Sequence, residues 1–147
     1  MRVREAVAIA LQKLIRARSS ETLGSLVSWI NDEDWLAMRA VAAGVAEPVL
    51  MKGETPRKSL ELHRKIIVKV AEGSDRKSEE FKILRKTLGY SLSVVTVGSP
   101  GEGFKCLRQL VGRKDPDLDW IVKENLKKDR LIRGFLREVT KLNELLS

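Results

Sequence analysis

The sequence of 147 residues predicts an all-α fold built from stacked pairs of helices. Three observations support this prediction. Apolar residues recur at helical spacing along most of the chain. Three segments, 32–50, 78–95 and 115–128, align with one another and indicate an internal repeat. A proline follows a residue suited to capping a helix at three places, which is typical of helix starts: Thr55-Pro56, Ser99-Pro100 and Asp115-Pro116.

The N-terminal part of the chain predicts two helices within residues 3–29. In residues 3–17 the apolar side chains fall on one helical face, and polar residues interrupt the apolar run that a signal peptide would need. A second helix, capped by Ser19 or Ser20, is predicted to run through Trp29.

The remaining helices follow in pairs. Asn31 and Asp32 are predicted to cap a helix over WLAMRAVAAGVAEPVLM. The residues SVVTVG at 93–98 favour a strand by their β-branched side chains. Their aligned counterpart in the first repeat is helical, so we predict that they end a long helix. Glycine stands where helices are expected to stop: Gly53, Gly73, Gly98 and Gly112.

Each aligned segment is followed by a second helical segment, at 55–72, 100–113 and 129–146. The aligned aromatic residues are 46 and then 39 residues apart, and each follows an acidic residue that suits the first turn of a helix: Trp35, Phe81 and Trp120. A period of about 40–47 residues with two helices per unit is typical of HEAT and armadillo repeats.

We therefore predict a right-handed α-solenoid of about three HEAT-like helix pairs. The aromatic residue of each unit is expected to pack between neighbouring pairs, because one pair cannot bury its own apolar face. The whole chain, 1–147, forms one domain in this prediction, with N-terminal helices at 3–29 and repeats at about 31–73, 77–113 and 115–146.

The positive charge lies mostly on the second helix of each pair. The chain has a net charge of +8, and segments 55–72, 99–114 and 127–147 each carry +3. Second helices commonly line the concave face of a solenoid, where a basic stripe suits phosphate binding; a solvated basic face is the alternative. The predicted nucleic-acid-binding residues are Arg57, Arg64, Lys65, Lys69, Lys105, Arg108, Arg130, Arg133 and Arg137.

Several classes of site find no support in the sequence. A single cysteine, Cys106, cannot form an intrachain disulfide, which predicts a reducing, cytoplasmic location. His63 stands alone, so no metal site is predicted. The stretch VVTVGSPGEGFK lacks the GK[ST] of a nucleotide-binding loop, and no cofactor is predicted. No membrane segment is expected. The predicted partner is DNA or an acidic protein, and the oligomeric state stays open.

Two stretches resemble the HEAT-like DNA alkylation repair proteins: W-x5-W-L-x-x-R-A at 29–40, and LRKTLGYSLSVV followed by DPDLDWIVKENLKKDRL. The resemblance covers roughly residues 20–135. It implies that Asp34 stabilises positive charge on a sugar, that Trp29 and Trp35 stack on a damaged base, and that Arg39 holds a phosphate. Asp34, Trp35 and Arg39 recur at matching positions of the repeat, so a structural role is the alternative.

Three functions follow as hypotheses. The leading one is a module of the alkylation-repair type that binds the backbone of duplex DNA through a basic concave face. The alternatives are a scaffold for protein partners without nucleic-acid activity and a DNA glycosylase that acts on alkylated bases. The acids of DPDLDW are expected to belong to a helix start, with Asp115 as the cap and Trp120 as the packing residue.

Overall fold

The structure, a computed structural model, describes residues 6, 7, 9, 10, 13, 25–30, 34–48, 53 and 55–147. All regular secondary structure in these residues is helical, which confirms the predicted all-α class. Residues 25–30 are helical. None of the helices described is long and apolar enough to cross a membrane. The helices with both ends described are α1 (Trp35–Val45), α2 (Thr55–Glu72), α3 (Glu79–Gly98), α4 (Pro100–Gly112), α5 (Pro116–Leu126), α6 (Asp129–Gly134) and α7 (Leu136–Leu146).

Most helix starts lie where the sequence predicts them. Asp115 caps α5 by accepting hydrogen bonds from the amides of Asp117 and Leu118, and α5 begins at Pro116. Asp34 caps α1, whereas the predicted caps Asn31 and Asp32 lie outside the described residues. A capping side chain accepts the amide hydrogens that the first turn of a helix leaves unpaired.

The helices contact one another in two rows. Helices α1, α3 and α5 lie side by side in the first row, and α2, α4 and α7 form the second. Helix α3 is central, because it contacts α1, α2, α4 and α5. Its inward side chains are fully buried: Phe81, Leu84, Leu88 and Leu92.

Residues 93–98 belong to α3, which confirms the prediction from the repeat. Residues 93–96 are buried, so tertiary packing overrides the strand preference of the β-branched side chains. The buried amide of Asn125 on α5 also holds this part of α3. Its Oδ1 accepts from the Ser93 N–H at 2.8 Å, and its Nδ2 donates to the Leu88 carbonyl at 2.8 Å.

The predicted second helix at 129–146 is wrong as one continuous helix. It divides into α6 and α7 at Phe135, whose φ of −141° and ψ of 44° are not helical. The ring of Phe135 lies 5.4 Å from that of Phe104 on α4. The preceding Gly134 has low helix propensity, and the break lets the Phe135 ring pack against Phe104 on α4.

His63 joins α2 to α3 inside the core. It is fully buried, with Nδ1 at 2.8 Å from the Ser59 carbonyl and Nε2 at 2.8 Å from Ser91 Oγ. A carbonyl only accepts, so Nδ1 carries the hydrogen, and Nε2 accepts from the Ser91 hydroxyl. Burial lowers the pKa of His63 from 6.5 to about 4, although the hydrogen bond to the Ser59 carbonyl acts in the opposite direction.

We expect the buried His63 to make the fold less stable in mild acid. Below pH 6.5 the unfolded chain binds a proton that the folded chain excludes down to about pH 4. Stability therefore falls as pH decreases through this window, by about 3 kcal/mol in total. Urea unfolding of the wild type and His63→Gln at pH 7 and pH 4.5 measures this effect. Equal pH dependence in the two proteins would contradict the expectation.

Candidate functional site

The predicted basic residues lie largely on the second row of helices. Helix α4 contacts both α2 and α7, so the three helices are neighbours in this row. We call this area the second-row surface and define it by the exposed predicted cations of these three helices, Arg57, Lys65, Lys105, Arg108 and Arg137. Long cationic side chains in this arrangement can contact successive phosphates of a nucleic-acid backbone.

Two other predicted residues on α2, Arg64 and Lys69, are not part of this surface. Arg64 is half-buried, and its Nη2 donates to the Glu102 carboxylate at 3.3 Å and to the Glu102 carbonyl at 3.4 Å. This pair ties α2 to α4. Lys69 is half-buried near the end of α2 and lines a different cleft, next to Asp34. The predicted residue Arg133 lies on α6, outside the second row, and its ion pair with Asp129 is long, at 4.0 Å, and highly exposed, so it costs little to open.

Arg130 differs from the rest of the predicted set. Its Nη1 donates to Ser93 Oγ at 2.9 Å, which places the guanidinium against α3 in the first row. The charge count along the sequence assigns Arg130 to the second helices but does not show which way its side chain points.

The predicted catalytic residues are only partly brought together. Asp34 and Trp35 line one open cleft of about 390 Å³, between the start of α1 and the end of α2. Trp29 and Arg39 do not line it. Trp29 is 38% exposed in the helical residues 25–30, and Arg39 is half-buried one turn after Trp35.

The two residues in the cleft have structural contacts. Asp34 Oδ1 accepts from the amides of Leu36 at 2.9 Å and Ala37 at 3.3 Å. Trp35 Nε1 donates to the Asp75 carbonyl at 3.0 Å, and its ring packs edge-on against Phe81 with centroids 5.3 Å apart. This contact packs the start of α1 against the start of α3.

The charge of this cleft is unfavourable for a DNA phosphate. Asp34, Glu72, Asp75 and Glu80 line it, with Lys69 as the cation in its wall. Carboxylates repel the phosphate backbone that would have to carry a damaged base into the cleft. The catalytic roles of Asp34, Trp29, Trp35 and Arg39 therefore stay a prediction from resemblance.

Two of the three acids of DPDLDW, Asp115 and Asp117, are held by two arginines. Arg76 Nη1 donates to both carboxylate oxygens of Asp115, at 2.8 and 2.7 Å, and to Asp117 at 3.3 Å. Arg85 Nη1 donates to the other oxygen of Asp117 at 3.3 Å. Burial alone would raise the pKa of Asp115, but the hydrogen bonds from Arg76 and the helix amides outweigh it, and the pKa is lowered. Asp115 therefore stays ionised, and its hydrogen bonds serve the fold.

Sequence reasoning missed Arg76 as a structural residue. Its Nη2 also donates to the Ala71 carbonyl at 2.9 Å, and its Nε donates to the Gly73 carbonyl at 3.2 Å. Arg76 thus joins the end of α2 to the start of α5. Its acidic partners lie about 40 residues away, so no local pattern indicates the contact.

A groove between α3 and α5 was also missed. It has a volume of about 380 Å³ and lies in the first row of helices. The signal in the sequence is the spacing of Lys82, Lys86 and Tyr90, which places all three on one face of α3. We call it the first-row groove and define it by its lining residues, Lys82, Arg85, Lys86, Gly89, Tyr90, Trp120, Glu124 and Lys128.

No family model, curated protein or solved structure matches the chain. Within the part of the chain that the structure describes, no three His, Cys, Asp or Glu side chains are grouped so as to hold a metal ion.

Proposed function

We propose that the protein binds the backbone of duplex DNA through the second-row surface. The observation that carries the proposal is the exposure of cations on three helices that contact one another in one row, α2, α4 and α7. Backbone contacts neutralise phosphates without reading base edges. We therefore expect little sequence preference.

We further propose that the helix pairs form a short right-handed α-solenoid of HEAT-like repeats. The pattern of contacts between helices supports this arrangement, because α1, α3 and α5 follow one another in one row and α2, α4 and α7 in the other. The edge-on contact of Trp35 with Phe81 joins successive units at the aligned aromatic positions. The second-row surface would then be the concave face, where a duplex can lie along several helices.

Charge reversal on α4 is expected to remove most of the duplex binding. Lys105→Glu combined with Arg108→Glu replaces two exposed cations at the middle of the second-row surface with two anions. With about five phosphate contacts, the affinity of the wild type should fall about 500-fold between 50 and 200 mM salt. At 100 mM salt we expect the double variant to bind a fluorescent 20-base-pair duplex at least about tenfold more weakly, because each lost contact adds to the repulsion.

The matched control is Lys77→Glu combined with Lys123→Glu. Both lysines are exposed, and both lie outside α2, α4 and α7, in the loop before α3 and on α5. The control changes the net charge equally, so its duplex binding should stay within about threefold of the wild type if one surface makes the contacts. Equal losses in the two double variants would contradict the proposal, and so would the absence of duplex binding at low salt.

A scaffold for an acidic protein partner is the second candidate function. One observation favours it, namely that Leu136 and Leu145 on α7 are 62% and 60% exposed. Exposed leucines beside cations suit a protein interface in which apolar contacts supply affinity and charge supplies orientation. This candidate leads if the wild type binds no duplex at low salt.

A further inference from the structure

The first-row groove is lined by cations that the proposed duplex binding does not use. Its wall contains four cations, Lys82, Arg85, Lys86 and Lys128, with Glu124 as the anion. The Glu124 carboxylate accepts from Lys127 Nζ at 2.6 Å, which offsets its charge. The groove therefore favours an anionic ligand, and none of its lining residues belongs to the second-row surface.

Two of these cations are available for a ligand. Lys82 pairs with Glu79 at 3.2 Å, and Arg85 pairs with Asp117 at 3.3 Å. Lys86 and Lys128 form no ion pair with any residue of the described part of the chain. Lys86 is on α3, and Lys128 is the N-cap residue of α6, so the two ammonium groups approach the groove from different helices.

Flat side chains lie between the cations. Tyr90 is half-exposed on α3, one turn after Lys86. The guanidinium of Arg85 lies 4.4 Å from the ring centroid of Trp120, and its ion pair with Asp117 fixes its orientation. Trp120 itself packs closely on Gly89, where a Cβ would meet the indole at 3.2 Å. Arg85 is thus a rigid plane that is about one-third exposed.

We propose that the first-row groove binds a segment of single-stranded nucleic acid. An unpaired base would stack on Tyr90 and on the outer face of the Arg85 guanidinium, and the flanking phosphates would contact Lys86 and Lys128. Aromatic rings and arginine planes interleaved with cations are the features that bind unpaired bases and their backbone. A duplex fits this groove poorly because its bases are stacked inside the helix and cannot reach Tyr90.

The binding site differs from the duplex surface in ligand and in location, so the two proposals can fail separately. The probe is a fluorescent 12-residue oligothymidine, measured at 100 mM salt. A second oligonucleotide of the same length carries abasic residues throughout, and it keeps the phosphates but offers nothing to stack. We expect the abasic strand to bind about 5- to 100-fold more weakly, which is the effect of losing base stacking.

Four variants locate the binding. Tyr90→Ala should weaken the binding of oligothymidine about 5- to 100-fold, whereas Tyr90→Phe keeps the ring and should bind within about twofold of the wild type. Lys86→Ala combined with Lys128→Ala should weaken it about tenfold, and this change is the safeguard should Tyr90→Ala disturb folding. Lys105→Ala combined with Arg108→Ala removes two cations of the second-row surface, whose phosphate contacts a single strand can also use, and it should weaken oligothymidine binding less than the Lys86 and Lys128 change does.

Three results would overturn the proposal. The abasic strand binding as tightly as oligothymidine would show that no base is stacked. A larger loss in the Lys105 and Arg108 variant than in the Lys86 and Lys128 variant would place the strand on the second-row surface. The absence of oligothymidine binding at 50 mM salt would remove the site altogether, whatever the duplex does. Thermal unfolding of each variant confirms that losses arise in a folded protein.

Discussion

Gly103→Ala is expected to destabilise the fold by about 3 kcal/mol, whereas Gly101→Ala in the same helix is expected to stabilise it by about 0.5 kcal/mol. Both glycines lie in the first turn of α4. The chemical change is the same at both positions, and the space around each position decides whether the free energy of unfolding falls or rises.

The difference comes from the contact between α3 and α4. A Cβ at position 103 would lie 2.7 Å from both Cα and Oγ1 of Thr96 and 2.8 Å from its Cβ. A side chain can rotate away from such a contact, but the Cα of Thr96 belongs to the main chain of α3. The corner between the helices would therefore have to open. At Gly101 no atom lies within 4 Å of a Cβ, so alanine only reduces the freedom of the unfolded chain.

Urea unfolding of the two single variants beside the wild type measures this difference. A loss of less than about 1 kcal/mol in Gly103→Ala would show that the corner moves easily. The corner also joins the two rows of helices, because α3 belongs to the first and α4 to the second. Opening it would shift Lys105 and Arg108 relative to α2, so we expect weaker duplex binding in Gly103→Ala but not in Gly101→Ala.

The parts of the fold that depend on neighbouring residues were predictable from the sequence. Asp115 and Pro116 start α5 because a capping carboxylate and a fixed φ act within a few residues. The long α3 was predictable from the repeat, although its last residues favour a strand by themselves. The break at Phe135 was not predicted, although Gly134 is next to it, because the Phe104 ring that packs against Phe135 lies on α4, far away in sequence.

The same distinction applies to the candidate sites. Helical spacing predicts that Lys105 and Arg108 lie on one exposed side of α4. Spacing does not predict that Arg130 turns toward Ser93, since that contact depends on how α6 meets α3. Only the α3 side of the first-row groove was predictable from the sequence, because Lys86 and Tyr90 are one turn apart. The other side of the groove is formed by residues from α5 and by Lys128, the N-cap of α6.

Asn125→Asp is expected to cost about 4 kcal/mol of stability at pH 7, although the two side chains have almost the same shape. Asn125 is fully buried, and its Nδ2 donates to two carbonyls, those of Leu88 at 2.8 Å and Ile121 at 2.7 Å. Its Oδ1 accepts from the Ser93 N–H at 2.8 Å. A carboxylate keeps the last bond but places a second charged oxygen against two carbonyl oxygens, which only accept hydrogen bonds.

The matched control is Asn143→Asp on α7. Asn143 is exposed, so the same change there should alter the free energy of unfolding by less than about 0.5 kcal/mol. Urea unfolding at pH 7 compares the two variants. A similar small effect at both positions would contradict the role given to the Asn125 hydrogen bonds.

The stability difference between Asn125→Asp and the wild type, measured as a function of pH, tests whether a buried charge causes the loss. Burial and the two carbonyls should raise the pKa of the introduced carboxyl far above the value of about 3.9 in an unfolded chain. The protonated carboxyl can donate to one carbonyl, so the deficit should be largest at pH 7 and shrink as pH falls toward 4.5. The His63 contribution changes in the opposite direction over this range, but it is present in both proteins and cancels in their difference. A deficit that stays constant from pH 7 to 4.5 would mean that lost packing, and not a buried charge, weakens the contact between α3 and α5.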